Sequence, residues 1–380
     1  MDEAADVLVI GAGIAGASVA YFLAEHARVQ VLEREDQPGY HSTGRSVALF
    51  SETYGPPQVQ ALSCATRGFL DRPPAGFSET PLLSPRGALM VGGPQDEDRV
   101  ATELLRMRRL APDVQRLSAD AAGARVPVLR PEFCGASIFE PGACDIDVHA
   151  LHQGFVRGIA RRGGKVSCRA EVLGITRSAA GWTVHGRSER WTAPRLVVAA
   201  GAWADEVAVM AGIRPLGLVP CRRSAFTFAP PALAGVSDWP AVIALDESWY
   251  FKPDAGLLIG SPANADPVPP QDVVPELIDI ASAIDRIQSA TTLTIARPLR
   301  TWAGLRSFVA DGGLVGGPDP DDPSFVWSAA QGGYGIQTCA AMGEACAALA
   351  LGLPWPGALA AQCLKPSHLL PDRLRGLPAA

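Results

Sequence analysis

The chain has 380 residues, 48% hydrophobic and 19% charged, enough to bury a sizeable core and to suggest two domains. A net charge of −6 gives no electrostatic case for nucleic acid. Eight Cys and six His are scattered without CxxC or HExxH spacing, so no metal site is expected, and thiols such as Cys64, Cys134, Cys168 and Cys339 read as reduced and mostly buried. The N-terminus runs from acidic Met1-Asp2-Glu3 straight into an apolar strand, without the basic start and cleavage site of a signal peptide. The long uncharged stretch from Ala345 to Leu364 contains Gly352, Pro354, Pro356 and Gly357, which break a membrane helix. A cytoplasmic protein with no integral membrane segment is expected.

In chain order, Asp6 to Ile10 is an apolar run suited to a buried parallel strand. Gly11-Ala12-Gly13-Ile14-Ala15-Gly16 follows, then a helical pattern from Ala17 to Glu25, then a second strand from Val29 to Leu32 ending in Glu33. Gly11 permits the tight turn, Gly13 admits a pyrophosphate near the backbone, and Gly16 lets helix and strand pack closely. Glu33 stands where a carboxylate accepts hydrogen bonds from an adenosine ribose. GxGxxG alone is weak evidence, but strand, helix, second strand and acid together point to dinucleotide binding.

Three later segments bear on which dinucleotide. The loop His41-Ser42-Thr43-Gly44-Arg45-Ser46 carries donors suited to phosphate and a flavin ring. Leu196 to Ala200 is an apolar strand that runs into the turn Gly201-Ala202-Trp203. Gln331-Gly332-Gly333-Tyr334-Gly335-Ile336-Gln337-Thr338 precedes a helix, whose bare N–H groups suit the negative charge of a reduced flavin. Together these segments resemble the D-amino-acid oxidase, glycine oxidase and sarcosine oxidase superfamily over nearly the whole chain. The likeness is greatest to bacterial FAD-dependent D-arginine dehydrogenase, in Glu33 to Ser46, Cys221 to Phe226, Thr301 to Gly312 and Ala329 to Thr338.

The resemblance implies an α/β protein: a Rossmann-like FAD-binding domain with a mixed-sheet substrate-binding domain, of the glutathione-reductase-2, D-amino-acid oxidase-like type. The FAD domain would gather residues 1–83, 142–216 and 296–372, and 84–141 with 217–295 would form the substrate domain, leaving 373–380 as a tail. Within this frame Asp147 is expected to cap a helix with Val148, Leu151, Phe155 and Ile159 on one face. Lys165 to Cys168 and Glu171 to Ile175 read as short strands, and Pro262 to Pro275 as a surface loop. By the same resemblance Gly11, Gly13, Ile14, Ala15, Gly16, Glu33, Arg34, Ser42, Thr43, Arg45, Ser46, Gly201, Trp203, Gly332, Tyr334, Gly335, Ile336 and Gln337 would contact FAD. The backbone at Val172 would meet the adenine. No cysteine lies between Ala303 and Phe308, where sarcosine-oxidase relatives attach the cofactor, so FAD is expected to be non-covalent.

An α-amino acid needs a forked cation for its carboxylate. The resemblance gives that role to Arg223 and Arg306, with Tyr54 and Tyr250 lining the pocket and the Gly333 carbonyl accepting from the substrate amine. Strand alternation then puts Trp249 and Phe251 on the face opposite Tyr250, and Arg222, beside Arg223, is expected to be solvated. His41 reads as structural. Leu49 stands where D-arginine dehydrogenase has a histidine, with Phe50 next to it, and Ala88 where that enzyme has a glutamate. With Met90 these suggest an apolar pocket that disfavours arginine, while the acid Glu52 is expected to face solvent. The expected reaction is oxidation of a D-amino acid with an apolar or small side chain to the imino acid, with electrons passing to oxygen, a quinone or another acceptor. Oxidation of a secondary amine or a 2-hydroxy acid, a nicotinamide-dependent reductase, and a non-catalytic flavoprotein subunit stay open.

Overall fold

The computed structural model describes residues 2–375. The apolar runs Val7–Ile10, Val29–Leu32, Arg195–Val198 and Phe325–Ala329 are almost wholly buried and lie parallel. With Lys165–Ser167 at one edge and antiparallel Val315–Pro318 at the other they make a six-stranded sheet. Alternation along Val7–Ile10 separates its two sides. Val7 and Val9 pack toward the helices Ile14–Leu23, Val148–Arg161 and Gly335–Leu351. Leu8 and Ile10 pack on the other side, toward the helix Ala204–Met210 and a four-stranded sheet containing Gly181–His185.

Asp147 caps the helix Val148–Arg161 by accepting the Ala150 N–H at 2.8 Å, and Leu151, Phe155 and Ile159 are buried on one face. The strand expected from Glu171 begins only at Gly174. The backbone before it is drawn away, because the N–H groups of Arg169 and Ala170 bond the carbonyls of Glu35 and Glu33. Among the described residues no helix is long and apolar enough to cross a membrane. The C-terminal helix stops at Gly352, whose φ of 68° is left-handed.

A nine-stranded mixed sheet forms the second layer system, with Ala88–Gly92 third from one edge, parallel to Ala241–Ala244 and antiparallel to Ala136–Glu140. Here too alternation sorts the side chains. Leu89, Val91, Val242, Trp249, Phe251, Phe226 and Phe228 form one core with the helix Leu277–Ala290. Ala88, Met90, Ala241, Ile243, Tyr250, Lys252, Arg223 and Ala225 face a cavity instead. Trp249 and Phe251 therefore stack on each other away from Tyr250, with ring centroids 6.0 Å apart, as alternation predicts.

Every strand of the six-stranded sheet falls within 1–83, 142–216 and 296–372. The nine-stranded sheet draws on 84–141 and 217–295 but also takes Arg300–Phe308, paired with Val219–Phe228 along its whole length. This ladder carries the second sheet past the boundary expected at 296. The stretch from Pro262 to Pro275 is largely loop, though Asp266–Pro267 pairs with Arg222 and Cys221 and Val273 is buried. Arg373, expected to open a tail, is bound to Asp311 and to the Leu369 carbonyl, both at 2.7 Å; residues 376–380 of that tail lie outside the described residues.

Candidate active site between the two sheets

A cavity of about 840 Å³ lies between the sheets. At the nucleotide end Gly11 turns at φ 99°, and a Cβ there would stand 2.5 Å from the Ala199 carbonyl oxygen. A Cβ at Gly16 would stand 1.9 Å from the Gly11 carbonyl oxygen, so both positions demand glycine. The helix that starts at Ile14 has Gly13 as its cap and no side-chain capping bond, and Gly13, Ile14 and Ala15 line the cavity. Positive helix-end charge therefore faces it. Glu33 lines the same end and is buried; its carboxylate accepts the Ala12 N–H at 2.8 Å and the Glu35 N–H at 3.0 Å, one on each oxygen. Lone pairs remain on both for a ribose. Val172, Gly201 and Trp203 line this end as well, and the Arg34 guanidinium lies 3.9 Å over the Trp203 ring. His41 holds Glu35 at 2.8 Å, a structural contact.

The loop from Ser42 to Ser46 lines the cavity, but its side chains serve the protein more than expected. Ser42 donates to the Leu305 carbonyl at 2.6 Å. Arg45 donates to the carbonyls of Ala303 at 3.0 Å and Val273 at 3.1 Å and pairs with Asp272. Ser46 accepts the Ala48 N–H, and Thr43 accepts the Ile14 N–H at 2.9 Å, keeping its own hydroxyl proton to donate. These donors are drawn off because the loop is packed between the sheets and must tie them together.

The second bare helix start is Gly335–Leu351, capped by Tyr334 without a side-chain bond. Gly332, Gly333, Tyr334, Gly335, Ile336 and Gln337 line the cavity. The Gln337 amide is occupied, donating to Ser63 at 2.9 Å and accepting the Ser51 N–H at 3.3 Å, so its backbone is what it offers. Burial pushes the Tyr334 phenol up to about 12.

At the substrate end Arg223 and Arg306 stand on paired strands, and neither has an ion-pair partner among the described residues. Arg223 Nε is buried without a hydrogen bond. Burial, and after it the charge of Arg306, lower the Arg223 guanidinium from its ordinary range. Arg306 lies against Gly333, where a Cβ would come within 2.6 Å of Nη1. Tyr54 and Tyr250 line the same region, and Tyr54 packs edge-on to Tyr334 at 5.3 Å. Arg222 is not solvated: alternation turns it to the other face, where Glu276 holds it at 2.5 Å and Asp279 and Asp266 lie at 3.5 and 3.6 Å.

The side-chain wall differs from expectation in three places. Leu49 and Ala88 line the cavity, but Phe50 is fully buried in the core, because the short strand Leu49–Phe50 sends its neighbours to opposite faces. Glu52 neither lines the cavity nor faces open solvent; it is half-buried, and burial raises its carboxyl above the ordinary range. The third difference is Glu140, which sequence reasoning passed over. It stands directly across from Ala88 on the adjacent strand, is 4% exposed, and lines the cavity. Its signal was an acid closing the apolar run Ala136 to Phe139 before Pro141-Gly142. Lys252 is a second buried charge on this wall, paired with Asp145 at 2.6 Å.

A family model described as FAD dependent oxidoreductase matches residues 6–349. The chain belongs to that family. L-2-hydroxyglutarate dehydrogenase of Escherichia coli (strain K12) is 27% identical over 240 residues, 59% of this chain and 54% of that protein, so the chain spans about half that relative's length. Glycine oxidase of Bacillus licheniformis is 24% identical over 369 residues, 92% of this chain and 94% of that one. The crystal structure of glycine oxidase from Geobacillus kaustophilus superposes with a TM-score of 0.81 at 20% identity, covering 93% of this chain and 96% of that chain, and shows the same fold. For this FAD-dependent oxidoreductase the two uncapped helix starts, the glycine cradle at Gly11 to Gly16 and the acceptor Glu33 suit a dinucleotide cofactor.

Proposed function

We propose that this FAD-dependent oxidoreductase oxidises the Cα of a D-amino acid with a small or apolar side chain to the imino acid. The observation that carries this reading is the pair Arg223 and Arg306, two guanidinium groups facing the cavity with no carboxylate partner among the described residues. Two such cations side by side repel each other, and an anion between them removes that cost. A carboxylate fits the fork in two-bond geometry. FAD, when bound, supplies the acceptor for the hydrogen and electron pair that leave Cα. Arg223 and Arg306 hold the carboxylate, Tyr54 and Tyr250 bound the pocket, and the Gly333 carbonyl accepts from the amine and fixes its orientation. The amine gives its proton to water before Cα–H breaks, so no side chain need act as a strong base. The imino acid then leaves and hydrolyses. Leu49, Ala88 and Met90 keep most of the wall apolar, which favours small side chains over D-arginine. The D configuration rests on the likeness of the segments around Arg223, Arg306 and Gly333.

The test is anaerobic bleaching of the bound flavin by a panel of D- and L-amino acids, glycine, sarcosine and 2-hydroxy acids. Bleaching by small D-amino acids and not by D-arginine is expected. Bleaching by 2-hydroxy acids or N-alkyl amines alone would overturn the reading.

A further inference from the structure

Besides Glu33, and Glu171 and Glu206 beside Val172 and Trp203 at the nucleotide end, four carboxyl groups line the cavity or border it, and they are not equivalent. Glu103 is held by Arg106 through three hydrogen bonds. Asp145 sits behind the wall between Lys252 and Arg86, at 2.6 and 2.7 Å. Glu247 is exposed on a turn at the cavity's edge. Glu140 alone is buried, lines the cavity and is half satisfied. Its Oε2 takes hydrogen bonds from Ser51 Oγ at 2.8 Å and Thr53 Oγ1 at 3.0 Å, and its Oε1 takes none among the described residues. A buried carboxyl that only anchored the Ser51 to Thr53 loop would need one oxygen. The second accepts no side-chain hydrogen bond among the described residues and is left for water or a ligand in the cavity.

Register fixes where that atom points along the substrate. Glu140 pairs with Ala88, which pairs with Ala241, while two residues along Ile138 pairs with Met90, Met90 with Ile243, and Ile243 with Tyr250. Ala88, Met90, Ala241, Ile243, Tyr250 and Glu140 thus tile one sheet face. Tyr250 stands toward the arginine pair, and Glu140 lies three strands beyond it. We propose that Glu140 reads the far end of the substrate side chain, its Oε1 taking an uncharged group that both donates and accepts, such as a carboxamide or a hydroxyl. The inference rests on the amino-acid reading above and narrows its substrate class.

The uncharged class follows from the surroundings. Arg106 and Lys252 are paired with Glu103 and Asp145, while Arg223 and Arg306 have no acid partner among the described residues and oppose a further cation. Burial raises the Glu140 carboxyl above its ordinary range, so it can meet a ligand either as an acceptor or with a proton to donate. A group that both donates and accepts satisfies Oε1 whether or not it carries that proton.

The FAD-loaded protein is titrated with two carboxylates of matched shape, succinamate and 4-methylpentanoate, and binding is read from the visible flavin spectrum. Neither has an α-amine, so recognition is measured without turnover. The wild type is expected to prefer succinamate about tenfold, the worth of one added hydrogen bond. Glu140→Leu should erase the preference, and Glu140→Gln, which keeps a polar atom at the Oε1 position and guards against a folding defect in the leucine variant, should retain most of it. Equal affinities in the wild type, or an unchanged preference in Glu140→Leu, would overturn the proposal. So would tighter binding of 5-aminopentanoate than of succinamate, which would put a cation at Glu140. Failure of both carboxylates to bind the wild type would instead strike the arginine clamp, and the proposal with it. A preference that holds while no D-amino acid bleaches the flavin would keep Glu140 as the reader of the side chain and remove only the reaction.

Discussion

Arg306 is placed by two neighbours that are far apart in sequence. Its strand is paired with the strand of Arg223, and its guanidinium lies on Gly333, where any side chain would collide with Nη1. The fork is therefore pre-positioned by packing, and it has no acid to hold it. Arg306→Lys keeps the charge and loses the planar two-bond geometry. It is expected to lower kcat/KM for the best amino acid by roughly ten- to hundredfold, the worth of a charge-assisted bond of about 1.5–3 kcal/mol, with flavin content unchanged. A loss of FAD in step with the loss of activity would mean that the arginine serves the fold or the cofactor rather than the carboxylate. The candidates Arg223, Arg306, Tyr54, Tyr250, Leu49 and Ala88 all reach the cavity. Phe50 does not, because in a two-residue strand only one neighbour can face it.

Among the elements, the glycine turn and its helix were the most legible in sequence. Their geometry is local: a strand of four residues, a turn that only glycine fits at Gly11 and Gly16, and a helix start without a side-chain bond from its cap residue. Gly16→Ala places a Cβ 1.9 Å from the Gly11 carbonyl oxygen, so helix and turn must separate. The variant is expected to purify with little or no flavin, measured as visible absorbance per protein, and to melt below the wild type. Full flavin occupancy would show that the cradle does not set the cofactor's approach. The strand carrying Tyr250 was legible too, since alternation alone sends Trp249 and Phe251 to the core. Less legible was the loop from Ser42 to Ser46. Its donors look free in sequence, and only the packed structure shows them spent on Leu305, Ala303, Val273 and Asp272.

On the scale of the whole molecule, the site exists because two sheets with separate cores are tied across a seam. Arg45 and Ser42 reach from the cofactor side to the ladder of Arg300–Phe308, and Lys252 reaches Asp145. Glu140 is buried in that seam, and its cost should appear in global stability. Burial raises its folded carboxyl above the unfolded value, so the native state holds a proton that the unfolded state releases. The stabilising contribution is then full below the unfolded pKa and is lost as pH rises through the folded one. Glu140→Gln, neutral throughout, escapes that loss. Its melting temperature relative to wild type is expected to rise as pH increases above the ordinary carboxylate range. A difference that falls with pH would mean that Glu140 is stabilised as the anion. By itself the sequence determined the dinucleotide-binding start, the helix caps and the faces of single strands, because each depends on residues a few positions apart. The tertiary structure decided that Arg222 is bound by acids and Arg223 is left bare, that Arg300–Phe308 joins the second sheet, and that Glu140 stands across from Ala88 at the cavity wall. Those outcomes depend on which strands pair and in what register, and register is set by burial summed over whole sheets.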